Sequence, residues 1–382
     1  MKYVLLACLL VIGGCSSDAE YSPSTASVRF ELADEPFISI PEENSDNLLY
    51  RVADATRLRD GGVVISNAGY NRLDWYDASG GFRSSVGSKG SGPGEFGDFS
   101  VMRIYPLGDS LMLVDDAPYR RFQTVRMDGT FMETSYIKGP SFDLGTAWIQ
   151  DVALVSGQPL VLITSPIGHF SGQPGEAIAS PFFSFTTDET GAFRDSITVS
   201  YGPPRIVNEH RGTIHYPFLP FAGEDLLVLD ASSPGLIRLS GQTLHRISLE
   251  GQVTDSLVFS NPVPVTDTLI DAYRDYALQD VSESRRPLYE TLFERPIPYP
   301  ENLPFATAAF RDANGALWLE RYRAPWDTTA TTQFEIVGPD FGRLGVMDTG
   351  IAFDKVFEIG SDYILGRITR GGAPRIVGYE FE

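Results

Sequence analysis

Beyond position 15 the chain has no cysteine; its two cysteines are Cys8 and Cys15. A disulfide scaffold, a thiol nucleophile and a cysteine-based zinc site are therefore excluded from the folded part. Histidine is scarce, with four in 382 residues. His210 and His215 stand five apart, and a zinc site built on them needs a third ligand, for which His169 is the candidate. Positive charge is in deficit: 30 Lys and Arg stand against 50 Asp and Glu, a formal net charge of −20. The acidity is spread along the chain, which suits solubility and disfavours generic binding to nucleic acid or anionic lipid. No G-x-S-x-G elbow is present, so no nucleophile announces itself. Helical periodicity is weak over most of the length, whereas Gly (37) and Pro (26) are plentiful, as expected of many short strands joined by turns.

The N-terminus carries an address. MKYVLLACLLVIGGCSS has Lys2, an apolar run over Val4–Ile12 that is too short for a comfortable membrane span, and then small residues. These are the parts of a secretory signal over residues 1–14. Ile12-Gly-Gly-Cys15 resembles a bacterial lipobox, which implies cleavage before Cys15 and lipid attachment to its sulfur. Ser16 occupies the place where an inner-membrane retention signal has Asp, which by the same resemblance implies delivery to the outer membrane. Residues 15–26 then read as the lipidated Cys and a flexible, small and polar tether, and 27–382 as the folded domain.

Within that domain a tight turn leading into a short β-rich run recurs six times: DGGVVIS (60–66), GDSLMLV (108–114), GQPLVLI (157–163), GEDLLVL (223–229), NGALWLE (314–320) and GSDYILG (360–366). Strand-like stretches flank each one, and NRLDWYDASGGF (71–82) aligns with RRFQTVRMDGTF (120–131), placing Arg72 in register with Arg121. A four-stranded unit repeated six times is the signature of a six-bladed β-propeller. The last unit offers only three strands, and an open blade would leave an exposed edge. SVRFELA (27–33) is the expected closing strand. One segment departs from the rhythm. Around 266–295, between units four and five, Leu269, Ile270, Tyr273, Tyr276 and Ala277 fall at helical spacing behind a Thr266 or Asp267 cap, and a second helix is expected over about 284–293. This helical insertion reads as a lid or packing element.

The stretch Gly92-Pro-Gly-Glu-Phe-Gly97 spells G-x-G-x-x-G, yet the residues after it read as another strand, so the helix that would hold a pyrophosphate is missing. GSKGSGPGEFGDFS resembles instead the blade-to-blade connection of NHL-type six-bladed propellers, and YNRLDWYDASG (70–80) and YRRFQTVRMDG (119–129) resemble the strand that names those repeats. The resemblance spans roughly Leu48 to Tyr136. It implies an all-β ring with a central channel, a fold in which some members are calcium-dependent lactonases or esterases and one is a zinc-dependent lyase.

Counting nine residues back from each apolar run gives Asp54, Met102, Asp151, Pro217, Ala308 and Asp354. Asp54, Asp151 and Asp354 are thus candidate calcium ligands at the channel mouth. The plain alternative is capping or turn bonding by these Asp residues. For recognition, the candidates are Arg211, His215, Tyr216 and Phe218 in one connection and Arg321, Tyr322, Arg323 and Trp326 in another. Asp115-Asp116 reads as a turn feature. The leading functional expectation is a monomeric, membrane-tethered, extracytoplasmic module that binds an envelope protein, a peptide or a glycan, with no cofactor. The competing expectations are a calcium- or zinc-dependent hydrolase or lyase working at the channel mouth, and a scaffold within an envelope complex.

Overall fold

The computed structural model describes residues 31–43, 47–98, 102–139, 147–155, 158–166, 171–230, 235–279, 281–370 and 372–382. The signal, Cys15, the tether and His169 lie outside the described residues.

Six four-stranded antiparallel sheets stand side by side as the blades of a β-propeller. From the channel outward, blade one is Val52–Arg57, Val63–Asn67, Arg72–Tyr76 and Phe82–Val86. Blade two is Ile104–Leu107, Leu111–Asp116, Arg121–Arg126 and Phe131–Tyr136. Blade three, the longest, is Trp148–Val155, Gln158–Pro166, Ala177–Thr187 and Phe193–Ile206. Blade four is Leu226–Leu229, Gly235–Ser240, Thr243–Ser248 and Val253–Val258. Blade five is Ala306–Arg311, Leu317–Arg321, Gln333–Val337 and Arg343–Asp348. Blade six is Lys355–Ile359, Tyr363–Arg370 and Ala373–Glu380, and its outer strand comes from the other end of the chain, Ile38–Pro41.

The second strands are mostly buried because both faces of every blade touch a neighbour; Val63–Asn67 is buried at all five positions. That is why these runs are continuously apolar rather than alternating. Among the described residues the core has one apolar cluster per blade interface and a seventh, of Ile206, Leu219 and Leu292, beneath the helical insertion. Trp75, Phe96 and Met112 mark the seam between blades one and two, Phe122 and Phe185 that between two and three, and Leu162 and Leu236 that between three and four. Phe259 and Leu319 mark four and five, Trp318 and Phe353 five and six, and Ile40 and Ile65 close the circle from six to one.

The closing strand is a correction. Ring closure by an N-terminal strand is as expected, but the paired segment is Ile38–Pro41, which meets Arg375–Gly378. Upstream, Leu32 adds a single bridge to Phe381, and 27–30 fall outside the described residues. Ile38 and Ile40 are the buried apolar pair of this strand; they are 2% and 0% exposed.

The glycine-rich stretch is the passage from blade one to blade two. Ser88–Lys89 pairs in parallel with Glu95–Phe96, which folds the loop back on itself. Phe96 fills the seam between the blades, and Gly87, at φ +110° with the Phe96 ring against its Cα, is a position where a side chain would be both strained and obstructed. Arg121 locks the loop from the next blade: its guanidinium donates to the carbonyl oxygens of Ser91 and Glu95 and pairs with Asp116 at 2.7 Å. Asp116 also accepts the Gly97 N–H at 3.0 Å. Asp115 and Asp116 are therefore buried residues at the end of a strand, just before a 3₁₀ turn (Ala117–Tyr119), and the second of them is half of a buried ion pair.

The insertion after blade four holds two helices, α1 (Asp267–Gln279) and α2 (Arg286–Phe293), at the expected place. No helix among the described residues is long and apolar enough to cross a membrane.

Candidate functional site

Every innermost strand starts on the same face of the ring, so connections between blades, and those between second and third strands, gather there. The insertion, the hairpin Asn208–His210/Thr213–His215 and the 322–332 loop are three such connections, and they form a canopy. Its seam is aromatic. Trp326 lies with ring centroids 6.1, 6.2 and 5.8 Å from Phe221, Tyr273 and Tyr276. His210 Nδ1 meets the Thr291 hydroxyl at 3.0 Å, fastening the hairpin to α2.

Beneath the canopy lies the channel mouth. The innermost strands carry β-bulges after Val52, Ile149, Ala306 and Val356. A bulge re-aims the residue that follows it, and in three blades that residue is a carboxylate. Asp54 accepts the N–H of Ala55 at 2.9 Å and, across the seam, that of Ile104 at 2.8 Å. Asp151 accepts Val152 N–H at 2.8 Å and Leu229 N–H, in the next blade, at 2.7 Å. Glu358 accepts Arg57 N–H at 2.8 Å and the Thr56 hydroxyl at 3.1 Å. The Tyr105 hydroxyl donates to the Ile149 carbonyl at 2.9 Å between blades two and three. These groups staple blade to blade around the channel, because inner-strand N–H groups facing the channel need acceptors.

The three calcium candidates all line the channel cavity, but they are not gathered into a metal-holding group. Asp54 and Asp151 are occupied as staples in separate blades, while Asp354 lies at the exposed start of blade six and accepts the Thr369 hydroxyl at 2.6 Å. The residue equivalent to Asp54 in blade six is Glu358, four positions further on, because the first turn of that blade follows its bulge more closely. Among the described residues no group of three or more His, Cys, Asp or Glu side chains is gathered closely enough to hold a metal ion. His215 sits in the hairpin, and His210 is engaged with Thr291.

Burial dominates the electrostatics of the mouth. It pushes the Asp54 carboxyl up to about 6, against the opposing pull of Lys355 and Arg103. It pushes Glu358 and Asp115 up to about 7 each, helped by Asp54 in one case and Asp116 in the other. Glu224, Glu320 and Asp151 are raised for the same first reason, and the Lys355 ammonium is lowered. A carboxyl raised in the folded state keeps its proton over a range where the unfolded chain has released it. Its stabilisation is complete below the ordinary carboxyl range and is lost as pH rises toward its folded value. Turn carboxylates such as Asp77 and Asp327 are lowered by the hydrogen bonds they accept, and their effect falls below the ordinary range, outside this window. The melting temperature is therefore expected to be higher near pH 5 than near pH 8, and Glu358→Gln should flatten the slope. A melting temperature that is level or climbs across that range contradicts this assignment.

Three cavities meet at the mouth. The channel itself is about 880 Å³. A recess of about 410 Å³ opens beside it into blade three, and a third cavity of about 630 Å³ runs under the canopy. Glu224 lines all three, and Arg103 lines the first two. Trp148, Phe182, Tyr201 and Phe218 wall the recess; Trp148 and Phe182 are tilted at 52° with centroids 5.6 Å apart. The Arg205 guanidinium lies 4.2 Å over the Phe218 ring and donates to the Tyr216 carbonyl at 2.8 Å.

Of the expected recognition residues, Phe218 lines the recess itself, and Tyr216 is tied to it through its backbone carbonyl, which accepts from Arg205. Arg211, at φ +52°, is exposed in the hairpin turn, at the opposite end from the Asn208–His215 pairing. Arg321 stacks 5.7 Å from the Phe305 ring, Tyr322 is half-buried with its phenol pushed up to about 12 by burial, and Trp326 anchors α1. Sequence reasoning missed Arg103, Glu224, Trp148 and Tyr201. It took GEDLLVL as the second strand of unit four, whereas Leu226–Leu229 is the innermost. Correct phasing puts Glu224 at the start of an inner strand, the position that faces the mouth.

No family model matches the chain, and no curated protein matches it. Solved structures do. A Bacteroides fragilis protein described as exported is 11% identical over 94% of this chain and 97% of that one, with a TM-score of 0.47. A DUF4221 member from Bacteroides vulgatus is 10% identical over 92% and 98%, with a TM-score of 0.46. Virginiamycin B lyase from Staphylococcus aureus is 10% identical over 92% and 99%, with a TM-score of 0.40.

Proposed function

We propose that this propeller is a lipid-tethered, extracytoplasmic binding module of the NHL type, held in the cell envelope through Cys15, whose ligand enters at the canopied mouth. The observation that carries the reading is the meeting of three cavities at Glu224 beneath the helical insertion. Concave, largely preformed sites with an apolar wall and a few converging polar groups are where proteins hold ligands. The division of labour among the carboxylates supports binding over hydrolysis. Asp54, Asp151 and Glu358 spend their oxygens on backbone N–H groups, whereas Glu224 and Arg103 stand where the cavities join.

Two measurements test this. The full chain should incorporate labelled palmitate and sediment with membranes, and Cys15→Ala should do neither; a Cys15→Ala chain that remains acylated and membrane-bound sinks the tether. In hydrogen exchange of the full chain in detergent, a soluble extract of the cell envelope should slow exchange at residues 103–105, 148–151, 200–205 and 224–227. Slowing confined to the opposite face or to the outer strands would favour the scaffold reading instead.

A further inference from the structure

The recess carries more information than its volume. Its rim is tied in place by a reciprocal pair of bonds: Asp225 N–H donates to the Tyr201 carbonyl at 2.7 Å, and the Asp225 carboxylate accepts Tyr201 N–H at 2.9 Å. This joins the outer strand of blade three to the segment entering blade four, one residue from Glu224. The Tyr201 side chain is held there although half of it is exposed (50%), and Phe218 is 55% exposed. Two large aromatic side chains left open on a fixed frame are ready to be covered without further ordering, which is what makes a binding surface efficient. Gly202 completes the frame. A Cβ at that position would come within 2.4 Å of the Phe182 ring, so the absence of a side chain is what lets Phe182 stand in the wall.

The charges around these rings are of both signs. Arg103 and Arg205 contribute cations, and Asp115, Glu224 and Asp225 contribute carboxyls, all lining the same recess. A ligand of strong positive charge meets two guanidiniums there, and one of strong negative charge meets three acidic groups, in a place where water is partly withdrawn and such mismatches cost most. A neutral ligand rich in hydroxyls escapes both penalties, because a hydroxyl donates to a carboxylate and accepts from a guanidinium. The recess falls within the usual range for small-ligand sites, roughly 300–1,000 Å³. Its junction with two further cavities at Glu224 gives a path longer than one ring.

We infer that the mouth binds a neutral oligosaccharide, the apolar faces of its sugar rings lying against Trp148, Tyr201 and Phe218 and its hydroxyls bridging Arg103, Glu224 and Asp225. The inference rests on the proposed binding role of the mouth and names the chemistry of its ligand.

The probe is the soluble envelope extract, read by hydrogen exchange of the full chain in detergent at the mouth segments. The protecting component should survive protease digestion, pass unretained through both cation and anion exchangers, and be destroyed by periodate, which cleaves vicinal diols. Tyr201→Ala, on an exposed side chain, should raise the amount of extract needed for half-protection at least tenfold, while Tyr136→Ala, equally exposed on the outer strand of blade two, should leave it unchanged. Protection at the mouth by a component that is lost to protease, retained by either exchanger, resistant to periodate, or indifferent to Tyr201→Ala overturns the neutral sugar and leaves a binding mouth in place. Absence of any protection at the mouth overturns both.

Discussion

Arg121→Ala should destabilise the propeller by about 3–5 kcal/mol, as expected for a buried ion pair that loses one partner. The Arg121 and Asp116 side chains are 1% and 0% exposed, and Nε lies 2.7 Å from Oδ2. Without the guanidinium, Asp116 keeps the Gly97 N–H but faces no compensating charge, the Ser91 carbonyl loses the Arg121 donor, and the Glu95 carbonyl keeps only the Gln123 amide. The loop that connects the first two blades loses its lock in the same step. Urea unfolding followed by both tryptophan fluorescence and circular dichroism measures the effect, provided the two transitions coincide. Arg59→Ala is the comparison: its pair with Asp109, at 3.6 Å between largely exposed side chains, should be silent. A loss below about 1 kcal/mol at Arg121 would mean that the buried pair stabilises no more than a surface one.

The second large effect is expected at the closure. Removing residues up to Glu43 strips Ile38–Pro41 from the outer edge of blade six, together with the Glu42–Arg367 pair at 2.6 Å and the bond from Arg375 to the Ser39 hydroxyl at 2.9 Å. The strand Ala373–Glu380 then presents an unpaired edge, which invites pairing with another chain. The truncated protein should elute from a sizing column as oligomers and aggregate, with its melting transition broadened. The milder Ile40→Ala keeps the strand and removes a fully buried side chain from the seam between blades six and one, for an expected cost of about 2–5 kcal/mol. A truncated chain that stays monomeric and melts at the full-length temperature would show that the ring does not depend on this strand.

What could be read in advance followed from what local chemistry repeats. Gly-containing tight turns leading into short apolar runs recur six times along the chain, so the ring and the number of blades were legible, as was the helical insertion, whose period differs from that of the strands around it. Arg72 and Arg121 do begin equivalent third strands, opposite Asn67 and Asp116. The closing strand was misplaced because SVRFELA and the segment around Ile38–Pro41 alternate equally well, and only pairing across more than three hundred residues selects between them. The mouth was less legible for a related reason. A fixed count back from the second strand assumes a constant span between bulge and strand, and in blade six that span is shorter, so Asp354 was chosen where Glu358 does the work of Asp54. In blade four the error was a whole strand, and it hid Glu224. The aromatic recess was invisible because Trp148, Phe182, Tyr201 and Phe218 come from four separate segments, each of which alone reads as ordinary blade packing.

The closure also sets an order of events. Ser39 and Arg375 are bonded across 336 positions, so a strand made near the start of synthesis has no partner until almost the whole chain exists. At about 5–20 residues per second, that wait is on the order of tens of seconds. During it, blades one to five can form in turn, each covering its predecessor, while Ile38 and Ile40 stay without a seam to enter. A nascent ring of this kind stays open until its final strands appear, a delay imposed by topology alone.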